Sequence, residues 1–398
     1  MDKRIISSKR PSHILSLIAR FESFSEEAYA VGGSLRDILL GIPPHDFDLA
    51  TSALPERTLE IFSDMRVIET GIKHGTVTVI TEGEPVEITT FRIDGSYTDS
   101  RHPDGVSFTR SIEEDLSRRD FTVNAMAFSP VRGLIDPFLG RNDLERRMIR
   151  AVGDPEKRFS EDALRIMRAF RFSAQLGFDI DRDTLLGASR TKNGLSCIAR
   201  ERIATELLKL LLSADPTGAL LMMAEGDILP YAVGSYAPSE RILNKLCKMP
   251  ANDVSRLGFF LCEADPDEAR DILRSLKYSN KQITGALAVA RGACVTVGSE
   301  ADARRFIANT GAYAEEAIEA SVLMGSSEPS ALQWVKSNRA PCTLSQLALT
   351  GRELISIGIE GKAVGKTLDR LLEAVIEDPS LNTKEELTAL AEKLKDGR

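Results

Sequence analysis

Residues 29–51 read YAVGGSLRDILLGIPPHDFDLAT, and the rest of the chain is organised around them. Tyr29 to Val31 reads as a strand, Gly32-Gly33-Ser34 as a tight turn, and the next seven residues as a short helix. Pro43 and Pro44 make a loop, and a second strand carries Asp46 and Asp48. Alternate residues of a strand share a face. The two carboxylates therefore point the same way, about 7 Å apart, and repel each other unless a cation sits between them. Hard divalent cations such as Mg²⁺ select all-oxygen sites and share them with substrate phosphates. The glycine turn lets backbone N–H groups approach an anion at the positive end of the helix, and Arg36 follows in its first turn. A phosphate cradle beside a carboxylate pair is the anatomy of phosphoryl or nucleotidyl transfer. Either feature alone is common: many turns carry two glycines, and many Asp-x-Asp pairs are solvated strand ends.

Together, GGSLRDILLG followed by HDFDLAT resembles the signature of the polymerase-β-like nucleotidyltransferases. More narrowly it resembles the bacterial class II tRNA nucleotidyltransferase and poly(A) polymerase family. The resemblance implies Gly33 and Arg36 at the nucleotide and Asp46 and Asp48 as catalytic ligands of a two-Mg²⁺ site. In the strand-like run PVEITTF (85–91), Val86 and Ile88 share one face and Glu87 lies on the other, which makes Glu87 a candidate third carboxylate or a plain solvent-facing residue.

Further along, RRDFTVNAMA (118–127) matches the family's second motif. It implies that Arg119 contacts the nucleotide and that Asp120 and Asn124 shape the sugar pocket. Guanidinium forks suit phosphate oxygens, although a bare Arg-Arg pair is equally a solvated face. EDALRIMRAFRF (161–172) places Asp162, Arg165, Arg168 and Arg171 at every third position, with Ser160 as an expected helix cap. By spacing alone this is a charged ribbon on an exposed helix; by resemblance it is the nucleotide-selecting motif. Cytosine and adenine each present an amine donor beside a ring-nitrogen acceptor. A carboxylate beside a guanidinium complements that order, whereas uracil and guanine would leave buried polar groups unpaired. Asp162 is read as the acceptor, Arg165 as the donor, and Arg168 and Arg171 as holding the triphosphate or the primer end.

The 92–110 stretch is polar and rich in Gly, Pro and Asp and reads as a mobile loop. In the family such a segment is implied to help the change from adding C to adding A. Composition bounds the rest. The 398 residues allow two to four domains, 42% are hydrophobic, and aromatic residues make up only 6%, which leans helical. The net charge of −8 leaves RNA contact to local basic patches, with salt-sensitive affinity. Five cysteines without CxxC spacing read as reduced thiols of a cytoplasmic protein. No apolar run is long enough for a membrane span. All four histidines fall within the first 102 residues, so no His-Asp phosphohydrolase domain follows.

The expected architecture is α+β: a small mixed or antiparallel-sheet nucleotidyltransferase head followed by an all-helical neck, body and tail. The expected divisions are 1–26 as an N-terminal helix, 27–150 as the head, 151–213 as the neck, 214–330 as the body and 331–398 as the tail. The expected activity is template-independent addition of C, C and A to the 3′ end of tRNA from CTP and ATP. The alternatives are the A-adding half of a split pair, a poly(A) polymerase, and an inactive RNA- or nucleotide-binding regulator.

Overall fold

The computed structural model of the chain describes residues 12–44, 46–94 and 106–396. Packing divides it into two units, Met1–Leu210 with Gly218–Gly234, and Leu211–Thr217 with Ser235–Arg398. The first unit is built on a sheet. Helix α1 (Ser12–Ser23) leads to β1 (Ala28–Val31), α2 (Gly33–Leu40) and β2 (Asp48–Thr51). Then come α3 (Pro55–Ile61), β3 (Arg66–Ile68), β4 (Thr76–Thr81) and β5 (Glu84–Thr90). β6 (Arg92–Asp94) and β7 (Val106–Phe108) pair with each other, and α4 (Ile112–Ser117), β8 (Ala127–Ser129) and β9 (Gly133–Ile135) complete the sheet region. The strand order is β3-β4-β5-β2-β1-β8-β9, antiparallel except for the parallel β2–β5 pair.

Strand alternation decides which face of this sheet is covered by what. Ala28 and Ala30 of β1, Leu49 of β2, and Val86 and Ile88 of β5 pack with Ile14, Leu17, Ile18 and Phe21 of α1. Tyr29, Val31 and Ala50 face the other way and pack with Ile112 and Leu116 of α4 and with Phe91. Asp48 and Glu87 share this second face, because they are directly paired and Asp48 also pairs with Val31. The expected alternation in 85–91 is thus observed: Val86 and Ile88 are buried and Glu87 is exposed.

Three local expectations are corrected. Asp46 precedes β2 rather than lying in it, because ladder partners on β1 and β5 begin only at Asp48. α4 ends at Ser117, and Thr122–Asn124 form one 3₁₀ turn before β8. The predicted single helix opening at Ser160 is two helices. After α5 (Gly140–Glu145) and β10 (Met148–Ile149), α6 spans Pro155–Glu161 and α7 spans Leu164–Leu176. Asp154 caps α6, accepting from Glu156 N at 2.9 Å, while the Ser160 hydroxyl turns back to the Glu156 carbonyl at 2.7 Å. Asp162 sits in the break with extended backbone, φ −142° and ψ 103°. Its Oδ1 accepts Leu164 N at 3.0 Å, a local bond that competes with helix continuation. The ribbon of arginines is not an exposed face either: Arg165 and Arg171 are buried.

β11 (Asp179–Ile180), α8 (Arg182–Thr191), α9 (Arg200–Leu211), α10 (Thr217–Glu225) and α11 (Leu229–Val233) follow. The second unit is helical among the described residues, from Glu240–Leu246 to Lys384–Asp396. Trp334 is half-buried on the helix Pro329–Ser337. The centre of the 92–110 loop, residues 95–105, lies outside the described residues. Among the described residues no helix is long and apolar enough to cross a membrane.

One buried arginine ties the start of the second unit together. Arg256 is 3% exposed and donates to the carbonyls of Met249 (2.9 Å), Leu211 (3.0 Å), Cys247 (3.1 Å) and Ser213 (3.4 Å). Burial lowers its guanidinium pKa from the ordinary value. Truncation would orphan several buried acceptors at once. Arg256→Ala is expected to destabilise the second unit by about 2–4 kcal/mol, measured by urea unfolding, with nucleotide binding unchanged in the molecules that remain folded.

Candidate active site

A cleft of 540 Å³ in the first unit is lined from four directions. The turn before α2 contributes Gly32, Gly33 and Arg36, and the approach to β2 contributes Asp46 and Asp48. The segment after α4 contributes Arg118, Arg119, Asp120 and Asn124. The helical part contributes Asp162, Leu164, Arg165, Arg168, Arg171, Phe172 and Arg202. Every site residue expected from the sequence lies in this lining except Glu87.

The turn is shaped for close approach. Gly32 has φ +74°, a left-handed conformation that favours glycine, and a Cβ there would stand 3.4 Å from Arg119 Nη1 and 3.6 Å from Asp48 Oδ2. The Ser34 hydroxyl donates to the Val31 carbonyl at 3.2 Å and ties the turn to its strand. Arg36 is buried in the first turn of α2. It donates to Asp37 at 2.9 Å and to Asn124 Oδ1 at 2.8 Å.

The carboxylates carry unrelieved charge. Asp48 reaches solvent at the cleft mouth, but surrounding protein displaces much of its water. That desolvation, then the charges of Asp46 and Glu87, push its carboxyl up to about 6, and Arg119 only partly opposes them. Excess negative charge on an all-oxygen donor set is what a divalent cation relieves. Asp46 and Asp48 therefore fit as metal ligands. Among the described residues no three His, Cys, Asp or Glu side chains gather into a metal-holding group. Glu87 acts on Asp48 through its charge, from the next strand and outside the cleft lining.

A hydrogen-bonded chain crosses the floor. Arg36 holds Asn124, the Asn124 amide donates to Asp120 Oδ1 at 3.2 Å, and Arg168 donates to Asp120 Oδ2 through Nε at 2.8 Å and Nη2 at 2.5 Å. Burial works against the Asp120 charge, but Arg168, Asn124 and the Phe121 N–H outweigh it and hold the carboxyl at about 2. Asp115, fully buried beneath this floor, accepts from Arg118 at 2.7 Å and from Arg119 at 3.4 Å.

At the far end, Asp162 and Arg165 both line the cleft, but each has its own ion-pair partner. Asp162 Oδ2 accepts Arg202 Nη2 at 3.0 Å. Arg165 Nη1 donates to Glu161 at 2.7 Å and to the Arg158 carbonyl at 2.9 Å, and its Nη2 donates to the Arg118 carbonyl at 3.0 Å. Arg171 pairs with Glu206 of α9.

Three lining residues, Leu164, Phe172 and Arg202, escaped the reading of the sequence. The Phe172 ring has the guanidinium carbons of Arg171, Arg36 and Arg168 at 3.9, 5.2 and 5.3 Å from its centroid, an arrangement of cation–π contacts that spaces like charges. Its adjacency to Arg171 and its i+4 relation to Arg168 were the available signals. Arg202 comes from α9, 40 residues beyond Asp162, and carries no local signal.

Comparison with known proteins follows the same division. The family described as "Poly A polymerase head domain" matches residues 28–150, and "Probable RNA and SrmB- binding site of polymerase A" matches 177–233. A CCA-adding enzyme of Limosilactobacillus fermentum is 38% identical over 385 residues, covering 95% of this chain and 96% of that protein. The crystal structure of the Bacillus stearothermophilus CCA-adding enzyme in complex with CTP has a TM-score of 0.79 and 33% identity, covering 97% of this chain and 98% of that one. The Thermotoga maritima CCA-adding enzyme complexed with tRNA has the same fold, with a TM-score of 0.71 and 21% identity over 99% of this chain and 98% of that one.

Proposed function

The chain belongs to the family of CCA-adding enzymes, and from that premise we infer that it adds C, C and A to the 3′ end of tRNA, consuming CTP and ATP and releasing pyrophosphate. It is a nucleotidyltransferase. The observation that carries the reading is the convergence, in one cleft, of a carboxylate pair, a glycine turn and seven arginines.

In the proposed mechanism the primer 3′ oxygen attacks the α-phosphorus of the nucleotide. The new P–O bond forms as the bond to the bridging oxygen breaks; pyrophosphate leaves and the hydroxyl proton passes to water. When bound, Mg²⁺ ions would supply Lewis acidity at the 3′ oxygen and the triphosphate, with Asp46 and Asp48 as ligands. Glu87 keeps Asp48 basic through its nearby charge. Gly33, Arg36, Arg119, Arg168 and Arg171 neutralise the phosphates, and the developing charge on pyrophosphate meets donors already in place. Asp120 and Asn124 fix the floor on which the sugar rests. Asp162 accepts from the exocyclic amine of C or A, and Arg165, anchored by Glu161 and two carbonyls, donates to the ring nitrogen.

The division into head (27–150), neck (151–213), body (214–330) and tail (331–398) belongs to this reading, with the tail as a tRNA-binding element. A cytoplasmic location does too, supported by five free cysteines. The test is primer extension on three transcripts of one tRNA, ending before CCA, after C and after CC, with CTP and ATP singly and together. Completion of all three is expected. Extension of the CC-ended transcript alone would make this an A-adding enzyme, and long A tracts on any RNA would make it a poly(A) polymerase.

A further inference from the structure

Both oxygens of the Asp162 carboxylate are engaged by the protein itself. Oδ1 is fixed by the backbone N–H of Leu164 and Oδ2 by the Arg202 guanidinium, each at 3.0 Å. The backbone bond sets where the carboxylate sits, and the guanidinium sets which way its second oxygen turns. Arg165 takes no part in this, since its ion-pair partner is Glu161. Arg202 spans from α9 to the cleft, and its Nη1 is buried without a hydrogen-bond partner. A buried, unpaired N–H costs free energy. Arg202 is therefore poorly explained as a device for stability alone.

We propose that Arg202 is a positioning residue for nucleotide selection, holding the Asp162 carboxylate in the orientation that accepts from the amine of cytosine or adenine. The proposal rests on the base-reading role given to Asp162 above. Without Arg202 the carboxylate keeps its bond to Leu164 but turns freely about it. It then meets the amine of cytosine and the carbonyl of uracil with less distinction. Contacts to the triphosphate, made from α2, from the segment after α4 and from α7, do not pass through Arg202 and stay as they were.

The experiment is equilibrium binding of CTP, ATP, UTP and inorganic triphosphate to the full chain with Mg²⁺, for wild type, Arg202→Ala and Arg202→Lys. Wild type is expected to bind CTP and ATP more tightly than UTP. Arg202→Ala is expected to narrow that preference by on the order of tenfold, with inorganic triphosphate bound as before, and Arg202→Lys to restore most of it. An undiminished preference in Arg202→Ala overturns the proposal, as does an equal loss of CTP and inorganic triphosphate. A wild type without preference overturns the base-reading role of Asp162, and this inference with it. Should Arg202→Ala fail to fold, Arg202→Met, which keeps much of the side chain's length but has no N–H for Asp162, carries the same comparison.

Discussion

Asp48→Asn is expected to lower nucleotide incorporation by on the order of 10³-fold or more, with the loss in kcat rather than in nucleotide affinity. The carboxylate is the strand-borne half of the pair, fixed by its register between Val31 and Glu87. The amide keeps its shape but loses its charge, so a divalent ion there loses most of its hold. The nucleotide keeps its arginines. Single-turnover extension of a CC-ended tRNA transcript measures the effect, and retention of most activity would remove Asp48 from the metal site. The same variant carries a second signature of opposite sign. Asp48 ionises against desolvation and against Asp46 and Glu87. Neutralising it relieves that repulsion in the metal-free protein. Asp48→Asn is therefore expected to unfold slightly higher than wild type in EDTA, by no more than about 1 kcal/mol after solvent screening. A variant that is inactive yet more stable separates a functional carboxylate from a structural one.

Asp120→Ala has the larger effect on folding. Its carboxylate is buried and accepts from Arg168, Asn124 and the Phe121 N–H. Deleting it takes away the acid hydrogen-bonded to Arg168, leaving only the charges of Glu206 and Asp162 near that guanidinium, and cuts the chain of bonds from α7 to α2. The expected cost is about 3–5 kcal/mol, measured by thermal or denaturant unfolding of the full chain. The pH dependence follows from the same contacts. At pH 7 the carboxyl is ionised in both folded and unfolded chains, and the folded state holds the charge better. That contribution is fully present above the ordinary value of 3.8 and fades as pH falls from there towards about 2. Wild type should lose stability across this window, and Asp120→Ala should lose less. Parallel curves for the two proteins would show that Asp120 is not the group responsible.

How far these features could be read from the chain depends on how local their causes are. The glycine turn, its helix and the faces of β5 follow from spacings of two to four residues, and they stand where the sequence puts them. The motif at 161–172 names its arginines correctly but not their setting. Asp162 breaks the helix with a side-chain bond to Leu164 N, and its other oxygen is held by Arg202, far along the chain. Asp46 falls outside β2 because strand ends are set by partners on other strands. The burial of Arg165 and Arg171 likewise depends on Glu161, Glu206 and carbonyls that no periodicity reveals.

Asp162 has one more implication, for anyone wishing to rewrite the letters this protein adds. The side chain assigned to read the base is also the one that ends α6 and opens α7. A substitution that changes the reading, such as one meant to admit uracil, removes the acceptor at the start of α7 as well. Loss of a comparable helix-terminal acceptor costs about 1 kcal/mol. Altered-specificity variants are thus handicapped in folding before their chemistry is tested. A practical redesign would first supply Leu164 N with another acceptor and only then alter position 162.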